Sequence, residues 1–176
     1  MLFVLQGPSG SGKTTQANRL AREKNFEKII TATTRAPRPG ERNGKDYCFI
    51  SDARYSRMEK NGMLLAPTYI HGAKYGIPKV NLLPLIRSNA RHGVIVLDDN
   101  GARELQALGA YVIALRLDEK ERLTRLKKRR EQGRFLPEHF HIHPDARVDA
   151  SEEEDLVYKK IVSIICEAVS KKHGER

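Results

Sequence analysis

The sequence predicts an α/β fold in which a parallel sheet is flanked by helices. Two observations carry this prediction. The apolar runs at residues 94–97 and 112–115 are continuous rather than alternating, which is typical of strands covered on both faces. Such runs also alternate along the chain with helical patterns, as they do when helices cross over a parallel sheet. The 176 residues are enough for one domain with a substantial core.

The stretch from Gly7 to Thr14 matches the pattern G-x-x-x-x-G-K-[ST] of a phosphate-binding loop. Its glycines permit positive φ, so several backbone N–H groups can turn inward around an anion. Lys13 suits the β- and γ-phosphates of a nucleotide, and the Thr14 hydroxyl suits Mg²⁺. A strand at residues 2–5 and a helix at residues 13–24 would flank the loop, as in a P-loop NTPase core. The predicted nucleotide-binding residues are Gly7, Ser9, Gly10, Ser11, Gly12, Lys13, Thr14 and Thr15.

Further elements follow in chain order from the same periodicities. After the first strand, strands are expected at residues 28–31, 94–98 and 111–117. After the first helix, helices are expected at residues 80–91, 101–108, 119–131 and 152–172. The last helix has the clearest start signal, because Ser151 and Glu154 have the spacing of a capping box.

The segment at residues 35–78 interrupts this rhythm with prolines, glycines and Asn-Gly pairs. It contains strand-like pieces at residues 47–50 and 63–69, and a helical pattern at residues 52–60 that an Asn-Gly pair would end. Residues 132–148 are similarly irregular and rich in Arg and His. These patterns predict a small β-rich insertion on the parallel-sheet core.

The charge balance points to anionic partners. The chain carries 32 Lys and Arg against 22 Asp and Glu, a net charge of +10, which suits nucleic acid, an acidic membrane surface or small polyanions. Several arginines lie in Gly/Pro-rich loops, and no recognition helix or stacking-aromatic pattern is present, so small nucleotides are favoured over nucleic acid. No apolar run is long enough to span a membrane, and the first residues read as a strand rather than a signal peptide.

The two cysteines, Cys48 and Cys166, lie far apart and in no metal-ligand spacing. Two reduced thiols are typical of a cytoplasmic protein, which is the expected location. The oligomeric state stays open.

A second constellation lies at residues 33–47, where prolines and glycines surround several arginines. Arg35 and Arg38 offer planar guanidinium groups suited to a second phosphate. Tyr47 and Tyr75 can add phenolic hydrogen bonds. Taken alone, the same residues could form a basic surface loop with an ordinary hairpin.

With these motifs in view, the chain resembles the guanylate kinases. The resemblance rests on GPSGSGKTT, on TTRAPRPGERNGKDYCFIS, on KYGIP and on a strand that ends in Leu-Asp shortly before Gly101, and it covers residues 1 to about 130. It implies a P-loop core, a nucleoside-monophosphate-binding insertion and a lid. These would occupy, respectively, residues 1–32 with 79–118 and 144–176, residues 33–78, and residues 119–143.

The resemblance implies transfer of the γ-phosphate of ATP, with Mg²⁺, to a nucleoside monophosphate, first of all GMP. By matching position, the residues that would hold the acceptor are Thr31, Arg35, Arg38, Tyr47, Tyr75 and Asp98. The expected catalytic cations are Lys13, Arg35, Arg38 and Arg129. Thr14 would ligate the metal ion. A cluster of Arg129, Arg130 and Arg134 after the lid helix would join the site on closure, unless it is only a solvated face.

The chain departs from the family pattern where the guanine would be read. Ala66 stands where a carboxylate is usual, and Ile77 stands where Ser or Thr is usual. The usual Asp-x-Asp appears as Asp98-Asp99, so the register is uncertain by one residue. We expect a less polar and somewhat roomier pocket. Either an acid such as Asp98 or Asp99 substitutes, or the acceptor carries a pyrimidine or modified base.

Two further alternatives stay open. Guanylate-kinase-like domains also serve as non-catalytic binding modules, which need no intact phosphate loop. In the lid, the usual second helix is not evident, and residues 135–143 include His139, His141 and His143. These alternating histidines are interpreted as a solvated or base-stacking loop, with a metal site as the alternative.

Overall fold

The computed structural model of the chain describes residues 1–23, 25–70, 72–87, 91–128 and 141–174. The strands are β1 (Leu2–Gln6), β2 (Phe26–Lys28), β3 (Ala32–Thr33), β4 (Cys48–Phe49), β5 (Leu64–Ile70), β6 (Ala73–Pro78), β7 (His92–Val96), β8 (Tyr111–Arg116) and β9 (Ala146–Asp149). The helices are α1 (Lys13–Leu20), α2 (Asp52–Lys60), α3 (Leu83–Arg87), α4 (Asp99–Ala107), α5 (Glu119–Lys128) and α6 (Glu154–Gly174).

The larger sheet has five strands in the order β2-β7-β1-β8-β9, and every pair in it is parallel. Successive side chains of the central strand β1 point to opposite faces. Phe3 and Leu5 pack with Ile161 of α6, whereas Val4 packs with Leu105 of α4. Both faces are therefore covered, which explains the continuous apolar runs. The predicted fold class is confirmed.

The smaller sheet has four strands in the order β4-β3-β6-β5. Strands β3 and β4 are parallel, and β6 is antiparallel to both β3 and β5. Helix α2 packs against this sheet through Tyr55, a buried side chain whose hydroxyl donates to the backbone oxygen of Tyr75 at 2.6 Å. This sheet is the β-rich insertion that the sequence predicts. The boundaries drawn between core, insertion and lid remain predictions.

The strand expected at residues 28–31 is wrong in its position. The chain forms β2 in the larger sheet, leaves it after Lys28, and enters the smaller sheet as β3 at Ala32. The helix expected at residues 80–91 is also displaced, because a 3₁₀ turn at Lys79–Leu82 leads into α3. Pro84 has no N–H to donate back into that turn, which favours a helix start at this point.

Two further helix starts differ from the prediction. Helix α4 begins at Asp99 rather than residue 101, because Asp98 is its cap: Oδ1 of Asp98 accepts from the Gly101 N–H at 2.9 Å. Helix α6 begins at Glu154, and the capping box is not formed. The Ser151 hydroxyl donates instead to Oδ1 of Asp149 at 2.6 Å.

Candidate active site

The phosphate loop follows β1 directly and ends at α1. Gly7 has φ of 146°, and a Cβ at this position would lie 2.3 Å from the backbone oxygen of Leu115, so only glycine fits. Gly12 has φ of 85° and caps the N-terminus of α1 in the left-handed region. The loop is therefore shaped by backbone conformations that its glycines permit, and it lies at the positive end of the α1 dipole.

The polar groups of the loop fit an anion. The Lys13 ammonium donates to the backbone oxygens of Gly7 at 2.6 Å and Pro8 at 2.7 Å, so it spans the loop. The Ser11 hydroxyl is buried and has no hydrogen-bond partner among the described residues. The Thr14 side chain is exposed at the first turn of α1. A lysine ammonium, an unpartnered hydroxyl and a helix N-terminus together suit a nucleotide phosphate and a metal ion bound to it.

Two adjoining cavities join this loop to the insertion. One, of about 120 Å³, is lined by the loop and by Arg38, Glu41 and Tyr47. The other, of about 140 Å³, is lined mainly by the insertion and the end of β7. Both walls include Ser9, Lys13 and Tyr47. The structure thus brings the predicted donor residues and several predicted acceptor residues to one place.

Arg35 is held behind this wall by Glu41, a residue that sequence reasoning missed. Two guanidinium nitrogens of Arg35 donate to the two carboxylate oxygens of Glu41, each at 2.9 Å, and the Arg38 N–H donates to the same carboxylate at 2.7 Å. The guanidinium carbon lies 5.3 Å from the Tyr47 ring centroid. Only 17% of the Arg35 side chain is exposed. These contacts do not describe a solvated surface loop.

The pairing shifts both pKa values towards the charged forms. Burial acts against the charge on Glu41, but hydrogen bonds from Arg35 and the Arg38 N–H outweigh it, and the pKa of Glu41 is lowered. Burial likewise disfavours the Arg35 cation, and hydrogen bonds to Glu41 and Tyr75 outweigh it, so the pKa of Arg35 is raised. Glu41 thereby fixes the Arg35 guanidinium beside the acceptor tyrosines. The signal available in the sequence was the Gly40-Glu41 step of the arginine-rich motif.

The 140 Å³ cavity collects the predicted acceptor residues from distant parts of the chain. Its wall includes Thr31, Tyr47, Tyr75 and Asp98. The ring centroids of Tyr47 and Tyr75 are 6.1 Å apart. Oδ2 of Asp98 accepts from the Thr68 hydroxyl at 3.1 Å, so Thr68 is a further wall residue that sequence reasoning missed.

The two positions that depart from the family pattern lie in different environments. Ala66 lines the cavity, and its N–H donates to the Glu104 carboxylate at 2.9 Å, at an irregularity in β5. Ile77 does not line the cavity. It is fully buried in a cluster with Val4 and Ile95. The expectation that both residues open the pocket is therefore wrong for Ile77, which fills the core instead.

The structure separates the two neighbouring aspartates. Asp98 lines the 140 Å³ cavity, whereas Asp99 accepts hydrogen bonds from the backbone N–H groups of His141 and Ile142. The uncertainty of one residue in the register is resolved in favour of Asp98. Asp98 is the only acidic residue in the described wall of that cavity.

A third and larger cavity, of about 680 Å³, opens beside Gly7 and Pro8. The ends of β8 and β9, the start of α5 and Ile142 complete its wall, and no described residue of the insertion lines it. Arg122 on this wall is buried and forms two 2.7 Å hydrogen bonds to the Glu119 carboxylate. The sequence analysis did not single out this cavity, because it is built from three separated segments.

Several predicted lid features lie outside the described residues. These are Arg129, Arg130, Arg134 and His139. Within the described ranges, no group of three or more His, Cys, Asp or Glu side chains is placed to hold a metal ion. The metal-site alternative for the histidines is therefore not tested. In the same ranges, no helix is long and apolar enough to cross a bilayer.

Comparison with known proteins gives a consistent family. The family model described as guanylate kinase matches residues 1–143. A guanylate kinase of Chlamydia trachomatis is 31% identical over 162 residues, which are 89% of this chain and 78% of that protein. One of Nitrosococcus oceani is 35% identical over 115 residues, 65% of this chain and 56% of that protein. The chain spans little more than half of the latter relative.

A solved structure shows the same fold. The crystal structure of guanylate kinase from Anaplasma phagocytophilum aligns with a TM-score of 0.73 at 25% sequence identity. The alignment covers 96% of this chain and 85% of that chain.

Proposed function

This chain belongs to the guanylate kinase family, and we propose that it transfers the γ-phosphate of ATP to a nucleoside monophosphate, with GMP as the first candidate. One observation carries the proposal. The cavity on the phosphate loop and the cavity on the insertion share Ser9, Lys13 and Tyr47, so two phosphates held in them would meet. Little covalent chemistry is then required of the protein, because positioning and charge neutralisation carry the rate.

The donor would lie along the loop. Lys13 and the backbone N–H groups of the loop would hold its β- and γ-phosphates. The exposed Thr14 hydroxyl fits Mg²⁺, which when bound neutralises charge on the phosphates. The 680 Å³ cavity suits the donor nucleoside, because its wall contains Gly7 and Pro8.

The acceptor would lie in the 140 Å³ cavity. Tyr47 and Tyr75 in its wall and Arg38 beside the loop would bind the acceptor phosphate, with Arg35 held in place by Glu41. Thr31, Thr68 and Asp98 would face the nucleoside. Arg129, which is expected to join the site from the lid, completes the proposed set of catalytic cations.

A second candidate is a kinase for a pyrimidine or modified nucleoside monophosphate, and Ala66 favours it. Guanine carries adjacent N–H donors, and each buried donor left unpaired costs about 1–3 kcal/mol. Ala66 supplies no side-chain acceptor in the cavity wall. Both oxygens of Asp98 already accept a hydrogen bond, one from Thr68 and one from the Gly101 N–H. A base with fewer donors makes fewer demands on this wall.

A panel of monophosphates separates these candidates. GMP, AMP, CMP, UMP and dTMP are each incubated with ATP and Mg²⁺, and ADP formation is followed. The proposal expects selective turnover of at least one of them, and a strong GMP preference would eliminate the second candidate. Failure of every acceptor, in a folded chain that binds no ATP by calorimetry, would instead favour a non-catalytic binding module. The intact phosphate loop argues against that outcome.

A further inference from the structure

Asp99, the residue next to the acceptor-side Asp98, binds a segment more than forty residues further along the chain. Its Oδ2 accepts from the His141 N–H at 3.0 Å, and its Oδ1 accepts from the Ile142 N–H at 3.2 Å. Oδ1 also lies 3.4 Å from Nε2 of Gln6, and Arg103 donates to Oδ2 at 3.2 Å. The Asp99 side chain is 14% exposed. One carboxylate therefore has four donors around it.

Two of these donors belong to residues in the wall of the 680 Å³ cavity. Gln6 and Ile142 line that cavity, and Asp99 itself does not. Ile142 is buried and also packs with Ile95 and Leu97. Asp99 thus holds the backbone of an apolar wall residue and the side chain of a polar one, both on the donor side of the phosphate loop.

We propose that Asp99 is a positioning residue for the phosphate donor. Through Ile142 and Gln6 it sets the wall of the cavity that would take the donor nucleoside, an assignment that rests on the proposed function. The adjacent Asp98 lines the acceptor cavity. The start of α4 therefore supports both nucleotide cavities with consecutive carboxylates that have separate roles.

Removal of the Asp99 carboxylate leaves the N–H groups of His141 and Ile142 without their acceptor. The Asp99→Ala variant of the full chain is therefore expected to raise the Kd for ADP by about 10-fold, which is about 1.4 kcal/mol. Its KM for ATP should rise in parallel, and its KM for the acceptor should stay within about 2-fold. Asp99→Asn, which keeps one acceptor oxygen, should be intermediate and serves if the alanine variant does not fold.

The matched control is Arg103→Ala. It removes the surface ion pair to the same carboxylate, with an Arg103 side chain that is 57% exposed, and leaves the backbone contacts intact. Exposed pairs of this kind contribute little, so the Kd for ADP should remain within about 2-fold of wild type.

A double-mutant cycle shows whether Asp99 acts through Ile142. If it does, Asp99→Ala and Ile142→Ala raise the Kd for ADP non-additively, because each already displaces the same wall. Additive effects, an unchanged Kd, or equal rises in the KM values of donor and acceptor would each overturn the proposal. Calorimetry with ADP needs no turnover, so a chain that phosphorylates no monophosphate would refute the proposed function while the role of Asp99 was still measured.

Discussion

The donor and acceptor sides of the candidate site are built in different ways. The donor side is local: Lys13 contacts the backbone oxygens of Gly7 and Pro8, a few residues away, between β1 and α1. The acceptor side is assembled from distant segments, as the Thr68–Asp98 hydrogen bond between β5 and the end of β7 illustrates. A contiguous motif is enough to indicate the reaction class. Base specificity depends on which side chains the tertiary structure turns towards the cavity.

The largest expected effect breaks the local side of this comparison. Lys13→Ala should lower kcat by at least about 100-fold, because the ammonium that would neutralise the transferring phosphoryl group is lost. Lys13 is partly exposed and packs in no core cluster, so the thermal unfolding midpoint should change little. Steady-state kinetics and a melting curve on the same preparation check both statements. Near-normal turnover would refute the assignment of the loop.

The same difference explains how much could be predicted. The loop residues from Gly7 to Thr15 could be predicted because eight contiguous positions form the motif and each acts through its own backbone. The larger sheet could be predicted because strands such as β8 are apolar on both faces. The capping box at Ser151 was wrong because Asp149, a neighbour in β9, takes the hydroxyl.

The remainder of the site depends on tertiary register. Nothing in the order of the residues distinguishes Ala66, which lines the acceptor cavity, from Ile77, which fills the core. Asp98 and Asp99 are equally acidic in the sequence, and the start of α4 decides which one lines the cavity. Glu41 was missed because its role is to orient Arg35 rather than to contact a substrate.

The second prediction tests whether the acceptor side is separable from the donor side. Arg35→Ala should raise the KM for the acceptor by about 10- to 100-fold, because a charge-assisted contact is lost and the Glu41 carboxylate is left near an anion. The KM for ATP should change far less. Arg42→Ala, an exposed arginine of the same segment, is the matched control and should behave as wild type. Equal changes in both KM values would contradict the picture of two separate clamps.

The third prediction sharpens base recognition. Ala66→Glu places a carboxylate in the acceptor wall, where it can accept from adjacent guanine donors. The ratio of kcat/KM for GMP to that for CMP should rise by about 10-fold, the value of roughly one additional paired donor group. Ala66→Gln, of the same length but without charge, should give a smaller rise. If the ratio does not change, Ala66 does not face the base, and another wall residue sets the specificity.

The smallest effect is a pH dependence of the insertion. The pKa of Glu41 is lowered in the folded chain by Arg35 and the Arg38 N–H against the opposing effect of burial. A carboxyl with a lowered folded-state pKa contributes stability above its unfolded pKa and loses it as pH falls through the folded one. Glu41→Gln should therefore lower the melting temperature by about 2–4 °C at pH 7 and progressively less as the solution is acidified below the ordinary range of a glutamate. Glu59→Gln, an exposed acid on α2, is the control and should show no such convergence with wild type. A difference between Glu41→Gln and wild type that stays constant down to strongly acidic pH would mean that the ionised pair with Arg35 does not stabilise the insertion, and that the acceptor side is held by its packing alone.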